Sequence, residues 1–85
     1  MNIQLRFFAS VRETLGLAKE TVTLPDHVKT VGTVRHFLIE RGGVWAAALN
    51  EQRLLRMAYD QEMADAQTPI ADGGELAFFP PVTGG

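Results

Sequence analysis

The chain has 85 residues (9.3 kDa), is 46% apolar and 21% charged, and carries a net charge of −2 with a pI near 5.5. That length supplies one core and that balance is of a folded chain, while the slight acidity excludes the basic stripe of a nucleic-acid or anionic-membrane binder. No apolar run approaches the ~20 residues of a bilayer span, and the absence of cysteine excludes disulfides, thiolate metal sites, a thiol nucleophile and a persulfide carrier.

The first segment alternates strictly, with Ile3, Leu5 and Phe7 on one face and Asn2, Gln4, Arg6 and Phe8 on the other, as in a half-buried strand. The same opening lacks the basic-then-apolar order of a secretory signal, so a cytoplasmic location is expected. Ser10 and Glu13 stand in the S-x-x-E relation of a capping box, which predicts a short helical turn closed by Gly16. Lys19–Leu24, rich in β-branched residues and stopped by Pro25–Asp26, predicts a second strand that forms a hairpin with the first.

Thr30 is a suitable N-cap for the main helix, where Val31, Val34, Phe37 and Leu38 recur at helical spacing and Arg35, Glu40 and Arg41 lie on or near the other side. Gly42–Gly43 closes it, and Val44–Leu49 with Trp45 predicts a further turn. Leu55, Met57 and Tyr59 alternate with Arg56, Ala58 and Asp60, predicting a third strand. Gln61–Thr68 reads as a loop or as a short strand around Met63. Asp72–Gly73–Gly74 reads as a hairpin turn leading into the last strand, Glu75–Phe79, with Leu76 and Phe78 on one face. This order predicts an α+β protein of β-grasp architecture. A mixed sheet of four to five strands packs on one main helix; residues 1–79 form the domain and residues 80–85 a flexible tail.

The interior offers little for catalysis. His27 and His36 lack the further ligands that a metal site needs, and His36 is placed to pair with Glu40 one turn away. Asp60, Glu62 and Asp65 form a loose acidic cluster without an apolar pocket to raise a pKa. Ser10 has no His–Asp arrangement nearby. No metal or bound cofactor is expected.

The distinctive segment is Phe78-Phe79-Pro80-Pro81-Val82-Thr83-Gly84-Gly85. Two prolines stop the strand because neither can donate a ladder hydrogen bond, and they favour an extended conformation. Six residues span at most ~20 Å, and the last two have no side chains to obstruct a narrow channel. Such a stalk suits delivery of a terminal carboxylate into a partner's active site.

At these residues the chain resembles the small subunits of molybdopterin synthase, the ubiquitin-like sulfur carriers of molybdenum-cofactor biosynthesis. The likeness lies in Leu5-Arg6-Phe7-Phe8-Ala9-Ser10-Val11-Arg12-Glu13, in the region from Leu38 to Leu49, and in the ending from Asp72 to Gly85. It departs after the third strand, where many relatives have Val-Asn-Gln and this chain has Ala58-Tyr59-Asp60-Gln61. The resemblance implies a carrier whose Gly85 is adenylated by an ATP-dependent activating enzyme and converted to a thiocarboxylate with sulfur from a donor system. It also implies that the tail (Pro80, Pro81, Val82, Thr83 and Gly84) then threads into a large catalytic subunit. There the sulfur passes to cyclic pyranopterin monophosphate to build the dithiolene, within a heterotetramer.

If Leu76 and Phe78 face the helix, Phe79 faces outward beside Phe8, and exposed apolar pairs of this kind mark interfaces. The resemblance likewise implies a partner surface at Phe79 and a contact from Arg12. Two alternatives share the tail: a carrier for a thiamine-type pathway, and a protein modifier whose Gly85 forms an isopeptide bond. A third is a binding module with an inert tail.

Overall fold

The computed structural model describes residues 1–81. Eight elements follow one another: β1 (Asn2–Phe7), α1 (Ala9–Leu15), β2 (Lys19–Thr23), α2 (Val31–Ile39), α3 (Val44–Leu49), β3 (Arg56–Tyr59), β4 (Glu62–Ala64) and β5 (Glu75–Phe79). The five strands form one mixed sheet in the order β2-β1-β5-β3-β4. The strand β1 pairs antiparallel with β2 and parallel with β5, setting Leu5 opposite Leu76 and Phe7 opposite Phe78. On its other side β5 runs antiparallel to β3, with Met57 opposite Phe78 and Arg56 opposite Phe79.

Period-two alternation in β1 becomes burial with the same period: Ile3, Leu5 and Phe7 are inside, and Asn2, Gln4 and Arg6 outside. One sheet face thus presents Ile3, Leu5, Phe7, Val22, Leu76 and Phe78 to the helices. Val11 and Leu15 of α1, Val31, Val34 and Leu38 of α2, and Ala48 and Leu49 of α3 close the core over it. Phe7 stacks on Phe78 with centroids 6.1 Å apart and meets the edge of Trp45 at 5.7 Å.

The caps settle several local expectations. Thr30 is the N-cap of α2: its hydroxyl accepts from the Thr33 amide while the Thr33 hydroxyl accepts from the Thr30 amide. Gly16 closes α1 in the left-handed region (φ 76°), where a side chain would be strained. The Ser10–Glu13 capping box does not form. Phe8, still extended, is the N-cap of α1, and Ser10 lies inside the helix. The reason is that the Phe8 amide donates to the Phe78 carbonyl at 3.2 Å, which holds Phe8 in the sheet. The chain then turns abruptly at Ala9 (φ 50°), and the Phe8 carbonyl accepts from the Val11 and Arg12 amides.

The Gln61–Thr68 stretch does contain a strand, β4, paired to β3 with Ala58 opposite Met63. Its two-residue turn, Asp60–Gln61, has positive φ at both positions (49° and 69°) without the usual glycine. Asp60 compensates by tying the turn to β5: its amide donates to the Glu75 carbonyl (2.8 Å) and its Oδ1 accepts from the Glu75 amide (2.9 Å). Asp72–Gly73–Gly74 is a turn but not a hairpin, because β5 enters the sheet between β1 and β3 and does not pair with β4. That turn is fastened instead to the start of β1: the Gly73 amide donates to the Asn2 carbonyl, and the Asn2 amide to Asp72 Oδ1.

Candidate functional site

The strand that leads to the tail sits in the middle of the sheet rather than at its edge. β5 is paired to β1 up to Phe78 and to β3 up to Phe79, and its Leu76 and Phe78 side chains are fully buried. Pro80 and Pro81 follow, both half-buried. Neither can extend the ladder, so the chain must leave the sheet at its centre, with its last paired residue anchored to the core. Val82, Thr83, Gly84 and Gly85 lie outside the described residues.

The outward face beside that exit is apolar. Phe79 alternates with buried Phe78 and so points away from the helices, where it is half-buried. Continuing the parallel register of β1 and β5 by one residue brings Phe8 alongside Phe79, and Phe8 is 43% exposed. Ala58 and Ala77 are directly opposed on the same face, and Met63, opposite Ala58, is 60% exposed. Arginines border the patch. Arg6 lies over the Phe8 ring at 5.8 Å and pairs with Glu75 at 3.3 Å, and exposed Arg56 stands opposite Phe79. Arg12 is exposed one helical turn beyond Phe8, whose carbonyl accepts its amide. The structure thus gathers Phe8, Phe79, Arg12 and the first two tail residues around one end of β5.

The other polar candidates have local roles. Both His36 and Glu40 are exposed, with Nε2 and Oε1 2.9 Å apart. Asp60 holds its turn, and Asp65 Oδ1 accepts from the Gln67 amide. Among the described residues, no group of three or more histidines and acids gathers to hold a metal.

Three features escaped the sequence pattern. Met63 joins the outward patch only because β4 forms. Tyr59 lies over Gly74, its hydroxyl accepting from the Ala71 amide (2.7 Å) and donating to the Ala71 carbonyl (3.1 Å), so that a Cβ on Gly74 would collide with the ring. Arg35, expected on the solvent side of α2, is half-buried. Its guanidinium donates to the carbonyls of Leu49 (2.7 Å), Asn50 (2.7 Å) and Arg53 (2.9 Å). Burial pushes its pKa below the usual guanidinium value, with the negative charge of Glu51 acting the other way. No local spacing signals such a contact; only the docking of α3 against α2 creates it.

A small mixed sheet over short helices, with its central strand β5 running into Pro80–Pro81, defines the ubiquitin-like β-grasp class. Residues 5–85 match the ThiS family. Over 83 residues, 98% of this chain, it is 39% identical to the molybdopterin synthase sulfur carrier subunits of Haemophilus influenzae and Escherichia coli, covering 99% of each. The crystal structure of SAMP1 from Haloferax volcanii superposes with a TM-score of 0.77 at 26% identity, each chain covered in full. The chain therefore belongs to the ThiS family, in company with the molybdopterin synthase sulfur carrier subunits.

Proposed function

We propose that this chain is the sulfur-carrier subunit of a molybdopterin synthase and that the Gly85 carboxyl carbon carries the sulfur. The observation that bears most weight is the exit of β5 from the centre of the sheet into Pro80–Pro81, four residues before Gly85. The chain has no cysteine, and the thioethers of its methionines are not sulfane donors, so transferable sulfur has no other place to reside.

A terminal carboxylate, with a pKa near ~3.5, is anionic at neutral pH and a poor electrophile. In this reading an activating enzyme lets the Gly85 carboxylate attack the α-phosphate of ATP, releasing pyrophosphate and leaving an acyl-adenylate. Hydrosulfide released by a donor system then adds to the acyl carbon and AMP departs, giving a thiocarboxylate. The large subunit receives Pro80–Gly85 in a channel, where the terminal sulfur is transferred to cyclic pyranopterin monophosphate. Water regenerates the carboxylate, and two such rounds build the dithiolene. The body contributes position: Phe79, Phe8 and Arg12 dock on the partner, and the proline pair aims the tail.

The test is intact-mass spectrometry of the full chain after co-expression with a molybdopterin-type activating enzyme. Exchange of one oxygen for sulfur at Gly85 supports a carrier. A chain that stays unmodified, or a ladder of lysine conjugates, refutes it. The ladder is the outcome for a protein modifier, the reading favoured by the likeness to SAMP1, a small archaeal modifier protein. The higher, full-length identity to the carrier subunits favours the carrier.

A further inference from the structure

The chain has three methionines and no cysteine, so thioethers are the only sulfur its side chains hold. Their surroundings differ. Met57 belongs to the core at 9% exposure, opposite Phe78, and Arg35 Nη1 donates to its Sδ at 4.0 Å. Met1 is 36% exposed and lies at the end of β1 away from the tail, where its amino group donates to the Leu24 carbonyl at 3.2 Å. Met63, on β4, is 60% exposed. Its cross-strand neighbours on the outward face, Ala58 and then Ala77, are too short to cover it.

We propose that Met63 is a redox-sensitive modification site: peroxide converts it to the sulfoxide in the free chain, which weakens docking on the large subunit, and reduction restores it. The inference rests on the carrier reading above and deepens it by naming a regulation of that subunit's docking. Distance places Met63 inside the interface. From Phe79 it lies two strand spacings across the sheet, ~4.8 Å each, and two residues along it, ~3.4 Å each, or about 12 Å in all. A stable interface takes roughly 800 Å² from each partner, a disc of about 16 Å radius, which encloses Met63 when centred on Phe79. Met1 is seven residues up β1 from Phe8, a distance of more than about 20 Å, and falls outside.

The step needs one co-reactant, hydrogen peroxide. A sulfur lone pair attacks one peroxide oxygen, the S–O bond forms as the O–O bond breaks, and the second oxygen leaves as water with both protons. Sulfur is oxidised by two electrons and the peroxide is reduced by two. The product replaces a flexible apolar thioether by a polar, chiral sulfoxide whose oxygen accepts hydrogen bonds. Under an apolar partner surface that oxygen loses its water, and the desolvation opposes docking. Met57, shielded by the core and by the Arg35 donor, reacts more slowly, so the fold survives a dose that oxidises Met63.

The test treats the unloaded full chain, with Gly85 a plain carboxylate, with graded hydrogen peroxide, so that no transferable sulfur is oxidised alongside. Peptide mass spectrometry is expected to find Met63 oxidised first and Met57 last, with the melting temperature unchanged. Binding is then read by calorimetric titration with the large subunit of the Haemophilus influenzae molybdopterin synthase, whose carrier subunit is 39% identical. Oxidation of Met63 is expected to raise Kd roughly tenfold, and the two methionine sulfoxide reductases, one for each epimer, to restore it. Met63→Leu is expected to bind as the untreated wild type does and to lose the response to peroxide although Met1 still oxidises. The switch alone is overturned by Met57 oxidising before Met63, by a melting temperature that falls with Met63 oxidation, or by a Kd that stays within about twofold. An equal peroxide response in Met63→Leu overturns it too. A wild-type chain that fails to bind the subunit before any treatment refutes the carrier reading itself, and the switch falls with it.

Discussion

Replacing Arg35 by methionine tests whether one half-buried cation organises the second half of the molecule. The substitution keeps an apolar stem against α3 and removes three hydrogen bonds to the carbonyls of Leu49, Asn50 and Arg53. A net contribution of ~1 kcal/mol per bond gives about 3 kcal/mol. The lowered guanidinium pKa shows that burying the charge carries a cost, which the methionine variant no longer bears, so the expected loss is about 2–3 kcal/mol. A domain of this length has roughly 4–13 kcal/mol in all. The loss corresponds to a fall in Tm of about 10–20 °C. Urea unfolding read by the single tryptophan, Trp45, gives the free energy directly, and the slope of the transition is expected to stay constant. Arg35→Lys is expected to recover less than half, because one ammonium cannot serve three diverging acceptors. Hydrogen exchange should show faster opening of the amides between Asn50 and Arg56 than of those in β1. A loss below ~1 kcal/mol, or unchanged exchange in that loop, refutes the assignment of Arg35 as its anchor.

Three further outcomes follow from the same geometry. Gly74→Ala drives a Cβ into the Tyr59 ring and is expected to cost ~2 kcal/mol or more, with Tyr59→Ala in the same chain removing most of the additional penalty in a double-mutant cycle. Phe79→Ala is expected to weaken partner binding roughly tenfold while lowering stability by only ~1 kcal/mol, because its ring points away from the core; an unchanged Kd contradicts the outward assignment. Deleting Gly85, or adding one residue after it, is expected to abolish thiocarboxylate formation with Tm unchanged, and a large loss of thermal stability in either variant argues that the tail has a structural role.

Much of the architecture is visible in local patterns because it arises from local chemistry. The alternation from Asn2 to Phe8 is the burial pattern of β1, and the Thr30 hydroxyl caps α2 with no help from distant residues. What stayed hidden depends on contacts far apart in the chain. The Ser10–Glu13 motif loses to Phe8 because a bond to Phe78, seventy residues away, keeps Phe8 extended. The Asp60–Gln61 turn lacks glycine and becomes workable through the link to Glu75. Arg35 looks like any solvated helical arginine until α3 brings three carbonyls to it. In the candidate site, the pair Phe8 and Phe79 was legible from alternation, since each neighbours a core phenylalanine. Met63 was not, because the stretch that becomes β4 reads equally as a loop.

The position of β5 explains why a domain so small can serve as a handle. A tail leaving an edge strand would be held by one ladder, and a partner drawing on it could peel that strand away. Here β5 is paired to β1 and β3 and carries Leu76 and Phe78 in the deepest part of the core. Detaching it means breaking two ladders and unstacking Phe78 from Phe7 together. The ladder to β1 ends at Phe78 and that to β3 at Phe79, and neither Pro80 nor Pro81 can extend them, so the paired body stops abruptly there. A partner that binds the outward face of β1, β5 and β3 thereby fixes the origin of the tail, and with it the small volume that Gly85 can reach. On the proposed reading, placing the Gly85 carbon in this way requires no catalytic side chain from the carrier, in keeping with a described core built of aliphatic and aromatic groups.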